Sequence, residues 1–429
     1  MYRVINLKSL IAYLFCVLIL SGCSAGIGYE EETGEEDHYY RVCEIDVLPR
    51  SDEEAAKSFN AIWVSQFDMH PIYRDGSRQR SEIDYRILVE AMCDNLVRDG
   101  FNVIILQVRP NGDSMYESEF YSNSKYIAGV YGGDIEYDAI EIFLDIARSK
   151  NLSVHAWLNP FRLCREDELL DFGSGIIYDW YLEGIGKRIE LGGDGLLYLD
   201  PSYEEATELI VSGVREILGK YGFDGIHLDD YFYPTEFEFD DDYEFSLSGY
   251  GDKQEFRKEN VNKTVRALYS AVHSYEGKVF GVAPAGNIYS LELGWGVDIY
   301  EWLSAEGYVD YIMPQLYFGF QNETCPFDKV FKDWSEALKN KKIKLYVGLS
   351  AAKCELGSKG EADAYAGENG KYEWRDSKDI LKRSYEHLLS GGADGVCIFT
   401  YSSFYDPISG EDNELTSEEH AAFCGIIKK

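Results

Sequence analysis

Two adjacent carboxylates, Asp229 and Asp230, end the short apolar run Gly225-Ile226-His227-Leu228, and Tyr231, Phe232, Tyr233 and Pro234 follow at once. Paired carboxyl groups can serve as acid and base, or acid and nucleophile, on a glycosidic bond. Aromatic rings beside them offer apolar faces on which sugar C–H groups stack. If the run is a β-strand, alternate side chains share a face. Ile226 and Leu228 then pack outward on helices, while His227 and Asp229 point together into a polar pocket. Asp229 is the first candidate for a catalytic carboxylate. Asp230 faces away from it if the strand continues, and lines the site or braces a loop. The second acid stays open between Asp113, in a polar loop, and Asp68.

A strand of this kind carries chemistry at its C-terminal tip when it belongs to a (β/α)8 TIM barrel. The rest of the chain supplies the other elements. Apolar runs at 61–67, 103–109, 153–159, 225–229, 279–283, 311–315, 344–349 and 395–400 alternate with amphipathic stretches. The predicted helices are 83–98, 137–150, 203–220, 253–275, 297–306, 326–340, 377–389 and 417–427. Glycines such as Gly100 and Gly222 read as helix stops just ahead of strands. This alternation predicts an α/β fold, a barrel with loop insertions. A doubly wound open sheet is disfavoured, because no GxGxxG follows the first strand.

The strand tips of such a barrel collect the ligand-binding candidates. Asp68 follows the first strand. Arg109 ends the second, placed to hold a substrate carboxylate or orient an Asp. His155, Trp157 and Asn159 share one face of the third. His227, Tyr231 and Tyr233 belong to the fourth and its loop, Asn287 follows the fifth, and Gln315 and Tyr317 close the sixth. Planar amides, acids and aromatic rings together suit a polyhydroxylated ligand. No His or Cys cluster has metal-ligand spacing, so neither metal nor cofactor is expected. The acidic stretch 236–244, with Asp240-Asp241-Asp242, lacks the regular spacing of a calcium loop and reads as a solvated insertion.

The first residues point to export. Arg3 and Lys8 precede an apolar stretch, 9–20, too short for an ordinary membrane span, and Leu20-Ser21-Gly22-Cys23 follows. This resembles the lipobox of bacterial lipoproteins. The resemblance implies a signal peptide over 1–22, an acylated Cys23 held in a lipid bilayer, and a barrel on the extracytoplasmic face. Residues 23–56 read as a flexible tether, with Glu30, Glu31, Glu32, Glu35, Glu36 and Asp37 in one run. Residues 57–429 form the barrel domain.

The formal net charge is −35, and −37 once Arg3 and Lys8 leave with the leader. Such a protein repels nucleic acid at long range, which excludes it as a partner. Beyond Cys16 and Cys23, seven scattered cysteines form no CxxC, and they read as unpaired thiols.

The chain also resembles the glycosyl-hydrolase-like-10 family of secreted bacterial barrel proteins, over about residues 60–403. The likeness rests on Ala61-Ile62-Trp63-Val64-Ser65, on 108–116 (VRPNGDSMY), on His155-Ala156-Trp157-Leu158-Asn159-Pro160, on 225–234 and on 309–317 (VDYIMPQLY). It implies a barrel with glycoside hydrolase activity and a polysaccharide as its partner. One branch of the family looks like a hydrolase of peptidoglycan glycan strands stripped of stem peptides. The stretch from Asp224 is similar in layout to the chitinase motif DGxDxDxE, but His227 replaces its second acid and Tyr231 its final Glu. A substrate-assisted chitinase mechanism is therefore not supported by this segment. A glycan-binding lipoprotein without turnover, and a hydrolase of another exported polysaccharide, stay open as alternatives.

Overall fold

The computed structural model describes residues 59–230, 232–234 and 239–428. The leader with Cys23, the tether, Cys43, Tyr231 and residues 236–238 lie outside the described residues. Eight parallel strands close into a barrel: β1 (Phe59–Val64), β2 (Val103–Arg109), β3 (Ser153–Leu158), β4 (Gly225–Leu228), β5 (Val279–Val282), β6 (Tyr311–Ile312), β7 (Lys344–Ser350) and β8 (Gly395–Phe399). Each pairs with its sequence neighbour, and β8 closes on β1 through Ala61↔Cys397 and Ile62↔Ile398. This is the expected (β/α)8 barrel.

Alternation divides the strands into two apolar sets. Ile62, Ile104, Leu106, Ala156, Ile226, Leu228, Phe280, Val347 and Val396 face outward into the helix layer. Ala61, Trp63, Val103, Ile105, Trp157, Ala283, Tyr311, Met313 and Cys397 fill the inside. Six cysteines, Cys93, Cys164, Cys325, Cys354, Cys397 and Cys424, are free and buried among the described residues. No helix among the described residues is long and apolar enough to cross a membrane.

Several strand ends differ from the sequence expectation, each for a local reason. β1 stops at Val64 because Ser65 caps a helix, Gln66–Tyr73, and Asp68 completes the capping box. β6 is only two residues long, since Pro314 has no N–H to give the ladder. Gln315 rejoins it through single bridges to Ala285 and Gly348. The helix predicted over 297–306 is only one turn, Ile299–Trp302, and a second short helix, Ile288–Gly294, precedes it. Gly100 does end its helix in the left-handed region at φ 89°. The helix Glu204–Lys220, by contrast, ends on an extended Tyr221, so Gly222 is not its stop.

The loop after β3 carries an antiparallel sheet of Arg162–Arg165, Leu196–Leu199 and Ile189–Leu191 that the sequence reading missed. Its turn, Gly192-Gly193-Asp194-Gly195, is a hairpin signal.

Inside the barrel, Gly281 faces Tyr311 in the β5–β6 register. A Cβ built on Gly281 would lie 2.0 Å from the Tyr311 ring, whose hydroxyl is held between His155 and His227. Overpacking of this kind typically costs about 1–3 kcal/mol. Gly281→Ala should therefore destabilise the barrel by at least about 2 kcal/mol, read as a lower urea midpoint. An unchanged midpoint would show that the interior can give way.

Candidate active site

The C-terminal mouth of the barrel holds a cleft open to solvent. Aromatic faces come from Trp63 of β1, Trp157 of β3, Tyr317 after β6 and Phe399 of β8. Phe67, 43% exposed, extends this surface to the rim, where Tyr126 meets its ring edge-on at 5.7 Å. Gln66, Gln107 and Gln315 add amides, and Arg162, from the sheet after β3, is the cation among the lining residues.

Asp229 and Asp230 are the carboxylates among those lining residues, each 4% exposed. β4 ends at Leu228, so strand alternation does not reach them. Both line the cleft; the condition under which Asp230 would face away, a continuing strand, is not met. The β3–β4 register sets His227 opposite Trp157. Two residues past His227, Asp229 Oδ2 accepts from Trp157 Nε1–H at 3.2 Å, which fixes that carboxylate.

The amides are held by their own network. Gln107 Oε1 accepts from the Gln66 N–H at 3.0 Å, and Gln107 Nε2 donates to Asn159 Oδ1 at 3.3 Å. Asn159 Nδ2 in turn donates to the Pro110 carbonyl at 2.6 Å. Asn159 therefore positions Gln107 from behind and does not line the cleft itself. Gln315 Nε2 donates to the Ala283 carbonyl at 3.0 Å, while its buried Oε1 accepts no hydrogen bond among the described residues. That oxygen is suited to a ligand hydroxyl.

The Glycosyl hydrolase-like 10 family matches residues 58–366 of this chain. The chain belongs to that family. Glycosyl hydrolase DigH of Escherichia coli K12 is 27% identical over 345 residues, 73% of this chain and 78% of that protein. Glycosyl hydrolase YngK of Bacillus subtilis is 30% identical over 288 residues, 61% of this chain and 55% of that one. The match thus spans little more than half the length of the Bacillus relative. Among solved structures, the PgaB glycoside hydrolase domain from Bordetella bronchiseptica aligns with a TM-score of 0.55 at 13% identity, covering 85% of this chain and 99% of that one. The catalytic domain of a Paenibacillus polymyxa β-amylase aligns with a TM-score of 0.52 at 10% identity, covering 88% and 100%. These two likenesses are of fold. The family is glycosyl hydrolase-like, and the fold is a (β/α)8 barrel.

Against the glycosyl hydrolase-like 10 barrel, several expected ligand-binding residues have other places. His155 and His227 lie inside the barrel below the cleft, where both Nδ1 atoms meet the Tyr311 hydroxyl, at 2.9 and 3.0 Å. Burial lowers the His155 imidazole to about 4 and, with His155 adding to it, holds His227 well below its ordinary value. Asp68 is fully buried as a brace: it accepts from the Ser65 N–H, at 2.6 Å, the Ser402 N–H, at 2.9 Å, and the Thr400 hydroxyl. Tyr233 is buried against Phe239, and its hydroxyl donates to Asp200 Oδ1 at 3.4 Å. Asn287 caps the helix Ile288–Gly294.

Arg109 should point inward with Gln107 by simple alternation. The β2–β3 register shifts between Gln107 and Arg109, however, and this sends Arg109 outward, 4.2 Å over the Tyr121 ring. A bulge reverses the facing of every residue beyond it. The residues that sequence reasoning left out, Trp63, Gln66, Phe67, Gln107, Arg162 and Phe399, lie mostly at strand tips already in view. Inward alternation from Ala61 would have placed Trp63.

Asp113, a candidate acid, is fully buried away from the cleft, with Oδ1 accepting from the Asn111 N–H at 2.8 Å. Burial pushes its carboxyl from 3.8 up to about 6. The folded state therefore favours the neutral form. The resulting stability is fully present below about pH 3.8 and lost as pH rises through about 6. Its full size is about 3 kcal/mol. Asp113→Asn should flatten the stability profile between pH 4 and 7, followed by urea unfolding, and leave turnover near wild type. A folded variant without turnover would return Asp113 to the reaction.

Proposed function

We propose that this chain is an exported, lipid-anchored glycoside hydrolase that cleaves peptidoglycan glycan strands lacking stem peptides. The observation that carries hydrolysis is the pair Asp229 and Asp230 on one aromatic cleft at the barrel mouth. One carboxyl protonates the leaving glycosidic oxygen, and the other attacks the anomeric carbon or activates water. The indole faces of Trp63 and Trp157 take sugar rings, and the three glutamines take hydroxyls.

Arg162 supports the finer substrate. Removing a stem peptide leaves a free lactyl carboxylate on the glycan, which a guanidinium pairs with well. Chitin oligomers have the same backbone linkage chemistry without that anion. The basic and apolar leader ending in Leu20-Ser21-Gly22-Cys23 supports acylation and export, and the acidic tether gives the barrel reach from the membrane.

The test is incubation of the detergent-solubilised full chain with peptide-stripped peptidoglycan glycans and with chitin oligomers, read by product masses. Asp229→Asn and Asp230→Asn should each lose at least about 10²-fold in cleavage with little change in melting temperature. Trp157→Phe, which keeps the ring and removes the donor, should cost about tenfold. Normal turnover in both Asn variants would end the two-carboxylate reading. Sugar binding without any wild-type cleavage would favour a glycan-binding lipoprotein instead.

The anchor has its own check. Cys23→Ala should move the protein from the detergent phase to the aqueous phase while the barrel still melts as before. A wild-type chain that retains Met1 and no lipid mass would refute acylation.

A further inference from the structure

Gln315 has one half of its amide committed and the other half open. The side chain is 4% exposed and lines the cleft. Nε2 donates to the Ala283 carbonyl at 3.0 Å. Only the nitrogen of the amide can donate, so this bond fixes which way the group is turned. Oε1 therefore points away from Ala283, and it is this oxygen that accepts no hydrogen bond among the described residues. A buried acceptor left unmet costs folding free energy and calls for a donor from outside the chain. A ligand in the cleft can bring that donor.

The wall beside Gln315 is aromatic. Gly348 of β7 bridges to Gln315, and a Cβ added to it would lie 2.7 Å from the Trp63 ring and 3.3 Å from Gln315 Cα. Trp63 and Gln315 thus close on each other over a strand that has no side chain at that point. Phe399 of β8 meets the Trp63 ring edge-on with centroids 6.2 Å apart, and Tyr317 follows at 5.9 Å from Phe399. These three rings all line the cleft. Trp63 Nε1–H is already given to His227 at 3.2 Å, and Phe399 has no polar atom to offer. The pocket therefore presents apolar ring surface with an acceptor beside it.

We propose that Gln315, Trp63, Tyr317 and Phe399 form a pocket for the acetamido group of a 2-acetamido sugar, with its N–H donating to Gln315 Oε1 and its methyl against the rings. A secondary amide is planar and trans, so the acyl methyl lies on the N–H side and the carbonyl oxygen on the opposite side. One face of the group thus carries the donor and the apolar methyl together, which is what the pocket presents a match for. The carbonyl is left to the solvent of the open cleft. A hydroxyl in the same place would also give a proton, but its lone pairs would be set against apolar rings. Gln315 so has a narrower task than the hydroxyl contacts of Gln66 and Gln107. The pocket presupposes the glycan cleft proposed above and names the sugar substituent that this cleft reads.

The test reads binding in the detergent-solubilised full chain carrying Asp229→Asn, so that no cleavage intervenes. The probes are chitin oligomers and cello-oligomers of equal length, which carry a hydroxyl in place of each acetamido group. Calorimetry should show the chitin oligomers bound at least about tenfold more tightly, the worth of one hydrogen bond that buried groups would otherwise lack. In saturation-transfer NMR the acetyl methyl protons should receive more saturation than the protons of the sugar ring. Adding Gln315→Leu should cost the chitin oligomers about tenfold and the cello-oligomers much less. Should Gln315→Leu fail to fold, the ligand comparison and the methyl signal decide without it. Cello-oligomers bound as tightly as chitin oligomers would overturn the pocket alone, as would an equal loss for both ligands in Gln315→Leu. Binding of neither oligomer would overturn the glycan cleft along with it.

Discussion

The Tyr311 hydroxyl sits between two imidazoles in the middle of the barrel, and the arrangement above it depends on that contact. Trp63 Nε1 is 3.2 Å from His227 Nε2, and an indole N–H can only donate. His227 Nε2 is therefore the acceptor, and its ring proton sits on Nδ1, which donates to Tyr311 at 3.0 Å. Tyr311 O–H then donates to His155 Nδ1 at 2.9 Å. The direction of each bond is assigned from the network. One chain, Trp63 to His227 to Tyr311 to His155, crosses the interior with each ring neutral. Protonating His227 would remove the acceptor that Trp63 needs, in keeping with its strongly lowered affinity for a proton. A barrel interior must be filled by side chains from its own strands. Here the filling is polar yet satisfied, and it fixes the Trp63 ring that floors part of the cleft.

Above that rung, the site is built where strand regularity ends. A capping box stops β1 and turns Gln66 and Phe67 over the mouth. A register shift in β2 separates Gln107, which faces in, from Arg109, which faces out. Pro314 interrupts β6 and leaves Gln315 bridging its neighbours singly. The end of β4 at Leu228 lets two consecutive carboxylates face one space. Regular pleating could not do this, since it sends neighbouring side chains to opposite faces. Irregular tips are thus the means by which a period-two barrel brings Asp229 and Asp230 together.

The same contrast explains what was legible in the sequence. Runs such as Val103–Arg109 and the helix Ser417–Ile427 carry periodicity over many residues, and the structure reproduces both bounds. The barrel followed from eight such signals. Asp229, Trp157, Gln315 and Tyr317 were placed at the mouth because alternation or tip position sufficed for them. Arg109 was misjudged because one bulge inverts its facing, while the early end of β4 decides for Asp230 between the two places left open, in favour of lining the site. Such events depend on packing with a neighbouring strand, which a single sequence does not display. His155 and His227 were misjudged differently: their inward facing was read correctly, but depth along the strand separates barrel filling from cleft lining. Arg162 entered only with the sheet after β3, whose Gly-rich turn was readable and passed over.

Charge sets the final constraint. A chain of net −35 opposes an anionic glycan, yet the barrel's own field fades within a Debye length of about 8 Å at physiological salt. Recognition must then come from contact. Aromatic faces and amides act only at touching distance and are indifferent to net charge. On the proposed substrate, a single guanidinium at the cleft wall would pair with one carboxylate per disaccharide. Arg109 is turned outward over Tyr121, and Arg162 is the cation among the lining residues. An outer acidic shell and an inner, nearly balanced cleft are therefore compatible: the shell limits non-specific adhesion of anionic polymers, while the cleft holds the glycan segment whose rings and hydroxyls match it.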